Sequence, residues 1–388
     1  MRKRNSLSPA ILTAYAFLLA GALLLASCES KEETPETDAR GAVTGAADGA
    51  AQPATAAPAK PAEGRLNVYM YSEYIDPALP GLFEKATGLK VRIDVYEAAE
   101  EMMGKLQHAG GVSQYDVVVA SNYLIPVMAQ LGLLQPLDMA KIPNKVNMDP
   151  MFVNPPYDPG NKHGLAYQWG TIGLMYRKDK APDIAKSWQA IFDPAKQPGP
   201  FVMMDETRPM LSAALIVLGK SINTRDKADL QAAGELLLKA KASKSCLGFD
   251  GGVGGKNKVV AGEAVMAVVY NGDAVKAMPE EPNAAFFVPE EGTMLWVDCM
   301  MIPAKAPNAD GAHRFIDFIL DAKVGAQLSN FNRYATPNQA AMEFIKPEDK
   351  ANAAIYPTPE QLKKMQYVED MGKDMPLYDE VWTSVKSR

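Results

Sequence analysis

Histidine and cysteine are scarce, three of each in 388 residues, and their placement closes off several chemistries. His108, His163 and His313 stand in no HExxH context, and Cys28, Cys246 and Cys299 form no CxxC, so a zinc site has no support. There is no G-x-S-x-G elbow for a serine nucleophile and no P-loop. The glycine-rich "GGVGGK" (Gly251–Lys256) lacks the P-loop spacing and reads as a turn, so no cofactor is implied. Positive charge is in deficit, with 40 Lys and Arg against 46 Asp and Glu for a net −6. A chain of that balance is poorly suited to nucleic acid or an anionic surface and better suited to a cationic partner. Past the first residues no apolar run is long enough to span a bilayer, and no repeat of solenoid period is present.

What is present begins with an export signal. "MRKRN" is basic, Ile11–Leu25 is a short apolar segment, and "LASC" places small residues before Cys28. The ending resembles a bacterial lipobox, which implies cleavage after residue 27 and lipidation of Cys28. Loss of Arg2, Lys3 and Arg4 with the signal takes the net charge from −6 to −9. Residues 28–64 are rich in Ala, Pro, Thr, Glu and Gly and bury too little to order themselves. They read as a tether spanning roughly 30–35 Å. The remaining chain, Arg65–Arg388, exceeds what one core usually holds, and two lobes are expected.

Along that chain, strand and helix patterns alternate. "RLNVYMYS", Leu89–Val95, "YDVVVASN", "PFVMMDE", "AVMAVVYNGD" and "LWVDCMMIP" read as strands. Helical stretches lie between them, including "AEEMMGKLQHAGG", "KADLQAAGELLLKAKAS" and the pair "GAHRFIDFILDAKVGAQLSNF". The alternation predicts an α/β fold with a parallel sheet and ligands at the carboxyl ends of its strands. Cys246 and Cys299 are expected to be separate thiols.

The residues standing at those strand ends are acids and rings. They are Tyr71, Ser72, Glu73 and Tyr74, then Ser121, Asn122 and Tyr123, then Asp205 and Glu206, then Tyr270 and Asp273, then Trp296, Asp298 and Tyr334. Apart from Arg208, little base stands among them. Carboxylates bind ammonium through charge-assisted hydrogen bonds, ring faces attract the same charge, and ring carbons cover methylenes. Taken singly, these positions are better explained as core or rim aromatics and helix caps. Asp298 differs. Strand alternation puts it on one face with Trp296 inside an apolar run, where a buried charge demands either an internal Lys or Arg or a cation from outside.

The stretches "YMYSEYIDP", "YDVVVASNYL", "LAYQWGTIGLMY", "YNGDAV", "EGTMLWVDCMMIP", "YATPNQAA" and "VWTSVKS" follow one another from Leu66 to the C-terminus. Together they resemble the polyamine-binding receptors of ABC transporters, the spermidine/putrescine family. The resemblance implies a two-lobed periplasmic-binding-protein fold (type II-like), each lobe a mixed, mostly parallel sheet flanked by helices. One lobe would be 65–170 plus 297–342 and the other 171–296 plus 343–388. It implies ligand contacts from Tyr71, Ser72, Glu73, Tyr74, Ser121, Tyr123, Glu206, Tyr270, Asp273, Trp296, Asp298 and Tyr334. It further implies a monomer that makes no bond and serves a permease with its ATPase. Tyr71 and Tyr270 stand where the family usually has tryptophan, Pro209 where it has a Glu, and Val368 where the spermidine branch has a Gln. Ligand identity is therefore open among putrescine, spermidine and another small amine, with Asp205, Glu206 or Glu73 available to take over one amine. The same fold could serve a sensor lipoprotein instead of a transporter. An exported hydrolase pairing Asp205 or Glu206 with Asp273 or Asp298 is the enzymatic alternative.

Overall fold

The run Val117–Ser121 has four fully covered residues of five, the pattern of a strand packed on both faces. In the computed structural model, which describes residues 64–96, 99–108, 113–251 and 253–388, this run is one strand of a ten-stranded sheet. The proposed signal, Cys28 and the tether up to residue 63 lie outside the described residues. The strands are β1 (Arg65–Tyr71), β2 (Lys90–Tyr96), β3 (Val117–Ser121), β4 (Gly164–Arg177) and β5 (Phe201–Met204). They continue with β6 (Cys246–Asp250), β7 (Met266–Tyr270), β8 (Ala284–Phe287), β9 (Met294–Met301) and β10 (Gln366–Tyr367). Their order is β2-β1-β3-β9-β4-β7-β5-β6, with β10 on β9 and β8 on β4.

The helices begin and end where local chemistry allows. Gly88, in the left-handed region at φ 78°, closes helix Leu79–Thr87 by donating its N–H to the Glu84 carbonyl. Asp226 opens helix Lys227–Lys241 by accepting from the Ala228 N–H, and Asp321 does the same for helix Ala322–Asn332 with Lys323 and Val324. Cys246 and Cys299 are free thiols, as expected from their separate settings.

Two findings depart from the alternation reading. The outer strands are parallel, β1 with β2 and β3, and β5 with β6 and β7. At the centre, however, β9 runs antiparallel to β3 and β4, and β4 antiparallel to β7 and β8. The sheet is therefore mixed. The second departure is β4 itself, the longest strand, which period-2 reasoning does not find. Twelve consecutive residues of it are buried, so its sequence carries no polar alternation, and Gly170 and Gly173 lower its strand propensity further.

β4 is also the strand that changes partner. Residues Gly164–Thr171 pair with β9, and from Ile172 onward the same strand pairs with β7 and β8. This change of partner falls beside Trp296 and Asp298, which lie opposite Gly170 and Gln168. The candidate site is built at that switch, consistent with the rule that ligands in open α/β sheets sit where the topology reverses.

Candidate functional site

Asp298 is 5 % exposed in β9, wedged between Ser121 of β3 and Gln168 of β4. Its Oδ1 accepts from the Ser121 hydroxyl at 2.7 Å and its Oδ2 from the Tyr74 hydroxyl at 2.7 Å. Among the described residues no Lys, Arg or His stands within 4.0 Å of it. Burial pushes the carboxyl up from 3.8 to about 6, and the two hydroxyls oppose that without cancelling it. Among the described residues this charge thus has hydrogen bonds and no countercharge within 4.0 Å.

A chain of aromatic rings leads away from it. Tyr71 meets Tyr74 edge-on at 5.9 Å, Tyr74 meets Tyr334 at 6.0 Å, Tyr334 meets Trp296 at 5.0 Å, and Trp296 meets Tyr270 at 5.9 Å. Every one of these pairs is T-shaped, the arrangement that places the positive edge of one ring on the negative face of the next. The Tyr71 hydroxyl lies 3.5 Å from Ser121 Oγ. Trp296 is 7 % exposed, and its Nε1 is a buried donor with no acceptor among the described residues. At the far end the Tyr270 hydroxyl donates to Glu206 Oε2 at 2.7 Å. Tyr123, at the head of helix Leu124–Gln130, lies close enough to Tyr71 and Tyr270 to hinder the ionisation of both.

Two glycines make this packing possible. A Cβ on Gly170 would sit 2.5 Å from Trp296 Cζ2, and a Cβ on Gly272 would sit 2.3 Å from Tyr334 Cε1. Neither glycine needs an unusual φ; each is required because a ring lies where a methyl would go. Sequence reasoning named neither of them, nor Tyr167, which packs on Tyr74 at 5.3 Å and donates to the Tyr74 carbonyl.

The remaining expected residues form a second group. Asp273 is half-buried in the first turn of helix Asn271–Ala277, beside the Tyr334 hydroxyl. Burial raises its carboxyl and the charge of Glu73 adds to that, while Lys256 and Lys276 pull it down. Glu73 and Ser72 are exposed in the turn after β1, and Glu73 holds φ 52°, the left-handed region that a non-glycine residue occupies at a cost. Asp205, by contrast, is exposed and paired with Lys386 at 2.6 Å. Arg208 is buried over the Tyr378 ring at 4.7 Å, with Nη2 donating to Asn223 Oδ1 at 2.6 Å, and burial lowers its pKa. No group of three or more His, Cys, Asp or Glu among the described residues could hold a metal.

Comparison with known proteins places the chain in a family. Residues 82–358 match the profile of the bacterial extracellular solute-binding proteins. The chain is 32 % identical over 324 residues to the spermidine/putrescine-binding periplasmic protein of Escherichia coli K12, covering 83 % of this chain and 91 % of that one. It is also 32 % identical over 344 residues to the putrescine-binding periplasmic protein SpuD of Pseudomonas aeruginosa, covering 83 % and 92 %. Among solved structures, a putative spermidine/putrescine ABC transporter protein from Listeria monocytogenes superposes with a TM-score of 0.74. Identity there is 33 %, with 83 % of this chain and 98 % of that chain covered.

Proposed function

The chain belongs to the bacterial extracellular solute-binding proteins and has their two-lobed α/β fold; from that premise we propose that it is a receptor that captures a polyamine, putrescine or spermidine, and hands it to an ABC permease. It is a binding protein and not an enzyme. The observation that carries the reading is Asp298, a buried carboxylate held by two hydroxyls, facing an edge-to-face ladder of rings and supplied with no cation of its own. An alkyl ammonium completes it: the charge pairs with Asp298, and the methylenes run along Trp296, Tyr334 and Tyr270 toward Glu206.

The change of partner along β4 supports lobes of residues 65–170 plus 297–342 and 171–296 plus 343–388. Both Gly170 and Trp296, whose close approach it accommodates, lie at that crossing. Ligand contacts come from Tyr71, Ser72, Glu73, Tyr74, Ser121 and Tyr123 on one side and from Glu206, Tyr270 and Asp273 on the other, with Trp296, Asp298 and Tyr334 along the crossing. Closing the lobes removes water from the amine and strengthens each of these contacts. The mature protein works outside the cytoplasm as a monomer, lipidated at Cys28, and reaches its permease on the length of the tether.

Calorimetric titration of the purified protein with putrescine and spermidine tests the proposal. Saturating either amine to 100 times its Kd should raise stability by about 2.7 kcal/mol. No heat and no shift in Tm with both amines would remove the polyamine reading. The anchor is tested separately, by the fractionation of Cys28→Ser: the variant should leave the membrane, and its retention there would exclude lipidation.

A further inference from the structure

Tyr74 brings a hydroxyl to Asp298 from the turn after β1, and its main chain is tied down as firmly as its side chain. Its carbonyl accepts from Tyr167 Oη at 2.7 Å and from Asn332 Nδ2 at 2.8 Å. Both donors are buried, Asn332 completely. A carbonyl can only accept, so it fixes which way the Asn332 amide faces. The same Nδ2 also donates to Gln168 Oε1 at 2.8 Å. Gln168 lies opposite Asp298 in the β4–β9 register, so the bonds run from Asp298 through Tyr74 and Asn332 back to the strand beside Asp298. Helix Ala322–Asn332 holds the same segment at a second point, where Gln327 Nε2 donates to Asp76 Oδ2 at 2.8 Å. Glu73, next to Tyr74, sits at φ 52°, a backbone cost that persists only where the surrounding structure over-determines it. The helix then ends on Arg333, at φ 62°, and delivers Tyr334, whose ring meets that of Tyr74 at 6.0 Å.

We propose that Asn332, together with Tyr167, is a positioning residue for the amine site: by gripping the Tyr74 carbonyl it holds the turn in the one shape that carries the Tyr74 hydroxyl to Asp298. Asp298 takes its hydrogen bonds from Tyr74 and Ser121, so Asn332 acts through Tyr74. Without the grip the turn relaxes out of the costly Glu73 conformation, the hydroxyl moves away, and one of the two bonds that favour the charged carboxylate is lost. The other titratable groups around Asp298 are Tyr71 of β1, Tyr96 of β2, Tyr167 of β4, Cys299 of β9 and Tyr334, and burial keeps each of them protonated. The positioning is a property of the ligand-free protein; its consequence for affinity rests on the polyamine reading.

The test reads the ionisation of Asp298 in two ways. Urea denaturation of each protein against its Asp298→Asn counterpart, across a range of pH, locates the midpoint of Asp298 with no amine present. Calorimetry with putrescine locates the pH below which binding weakens. The proteins are the wild type, Tyr74→Phe, Asn332→Leu, Tyr167→Phe, and Asn332→Leu combined with Tyr74→Phe. Leucine keeps the branching of asparagine and removes its donors. Tyr167→Phe deletes only a hydroxyl and carries the test should Asn332→Leu fail to fold. Losing a bond to the charged form raises the midpoint, so Tyr74→Phe should raise it by about one unit. Asn332→Leu and Tyr167→Phe should raise it by less, and Asn332→Leu should add nothing once residue 74 lacks its hydroxyl. At a pH below both midpoints, putrescine affinity should fall about tenfold for each unit of rise. Lost stability in Asn332→Leu or Tyr167→Phe with the midpoint unmoved is what a purely structural role produces, and it overturns the inference. So does a shift of undiminished size in the Tyr74→Phe background. A midpoint that moves as expected, with no heat from putrescine or spermidine in any of the proteins, upholds the positioning and removes the polyamine reading instead.

Discussion

Asp298 and Asp273 invite comparison, because each is an acid lying beside a tyrosine hydroxyl in the same candidate cleft. Asp298 is sealed in the sheet and meets hydroxyls only, so its charge is an unrelieved cost until something cationic arrives. Asp273 sits on a short helix, where burial raises its carboxyl although the charges of Lys256 and Lys276 and the Tyr334 hydroxyl pull it down. One carboxylate meets hydroxyls alone, and the other also feels the charges of two lysines. The difference teaches that counting acids near a cleft says little about its ligand, since the partners each acid already has decide what it can still take.

The sharpest way to break that contrast is Asp298→Asn. Removing the charge should weaken amine binding by at least ~2 kcal/mol, the scale for losing a buried, hydrogen-bonded charge pair. The same substitution should stabilise the ligand-free protein. The carboxyl rises from 3.8 to about 6 on folding, so the fold favours its protonated form. That favourable contribution is complete below pH ~4 and is lost as pH rises through about 6. Above that pH the empty wild type carries a penalty of roughly 3 kcal/mol from this group, which Asn does not. Urea denaturation of the two proteins at pH 8 and pH 5 checks this: the advantage of the variant should be larger at pH 8. Equal stability at both pH values would mean that the Asp298 charge has a partner inside the protein. Amine binding to the wild type should likewise weaken as pH falls below about 6, by up to tenfold per unit, because the amine must then displace a proton.

How much of this contrast could be read in one dimension depends on the residue. Asp298 stood out because an acid within an apolar, alternating run has no cheap explanation, and Trp296 came with it by strand periodicity. Glu206 and Tyr270 were found because one follows a strand and the other ends one, where an α/β cleft opens, whereas Tyr334 stands after a helix and came with the family resemblance. The outer parallel strands were legible for the same reason, as valine-rich runs between helical patterns. By contrast β4 was invisible as a strand, since burial on both faces erases the alternation that marks one. With β4 went Gly170, whose importance lies in what the Trp296 ring occupies across the strand pair. Lys256 and Lys276 were unreadable for another reason. A lysine on a helix is ordinarily a solvated charge; Lys276 shares the helix of Asp273, whereas Lys256 stands on a separate short helix. Pairwise charge relations between distant segments are properties of the fold, as the pairing of Asp205 with Lys386 also shows.

A second, smaller perturbation separates the rings from the charges. Gly272→Ala leaves every carboxylate in place but drives a methyl into Tyr334, the ring that separates the Asp298 end from the Asp273 end. Overpacking of this kind costs typically ~1–3 kcal/mol. Much of it should surface as lost affinity, because Tyr334 touches both Trp296 and Tyr74. Combining Gly272→Ala with Tyr334→Leu, which empties the space the methyl needs, should recover the stability without recovering the binding. If the double variant binds as the wild type does, the ring ladder contributes no affinity and the two ends act without it.

The smallest expected effect lies at Tyr270→Phe. The hydroxyl donates to Glu206 Oε2 at 2.7 Å across from helix Thr207–Val217, and the ring stands edge-on to Trp296. Phenylalanine keeps the ring and deletes the donor, so the hydrocarbon contact to a ligand is preserved while one hydrogen bond to the acid is lost. A bond to a charged acceptor contributes about 1.5–3 kcal/mol to folding, less where water replaces the donor, and Glu206 is only half-buried. Stability should therefore fall by about 1 kcal/mol or less. Affinity can move the other way, because an acid released from Tyr270 is a better acceptor for an ammonium than one already bonded. A modest gain in amine affinity, read by calorimetry against the melting temperature of the same sample, would place Glu206 with Asp298 as an acid waiting for a cation. A loss equal to the loss in stability would mark it as an acid that the protein itself holds in place.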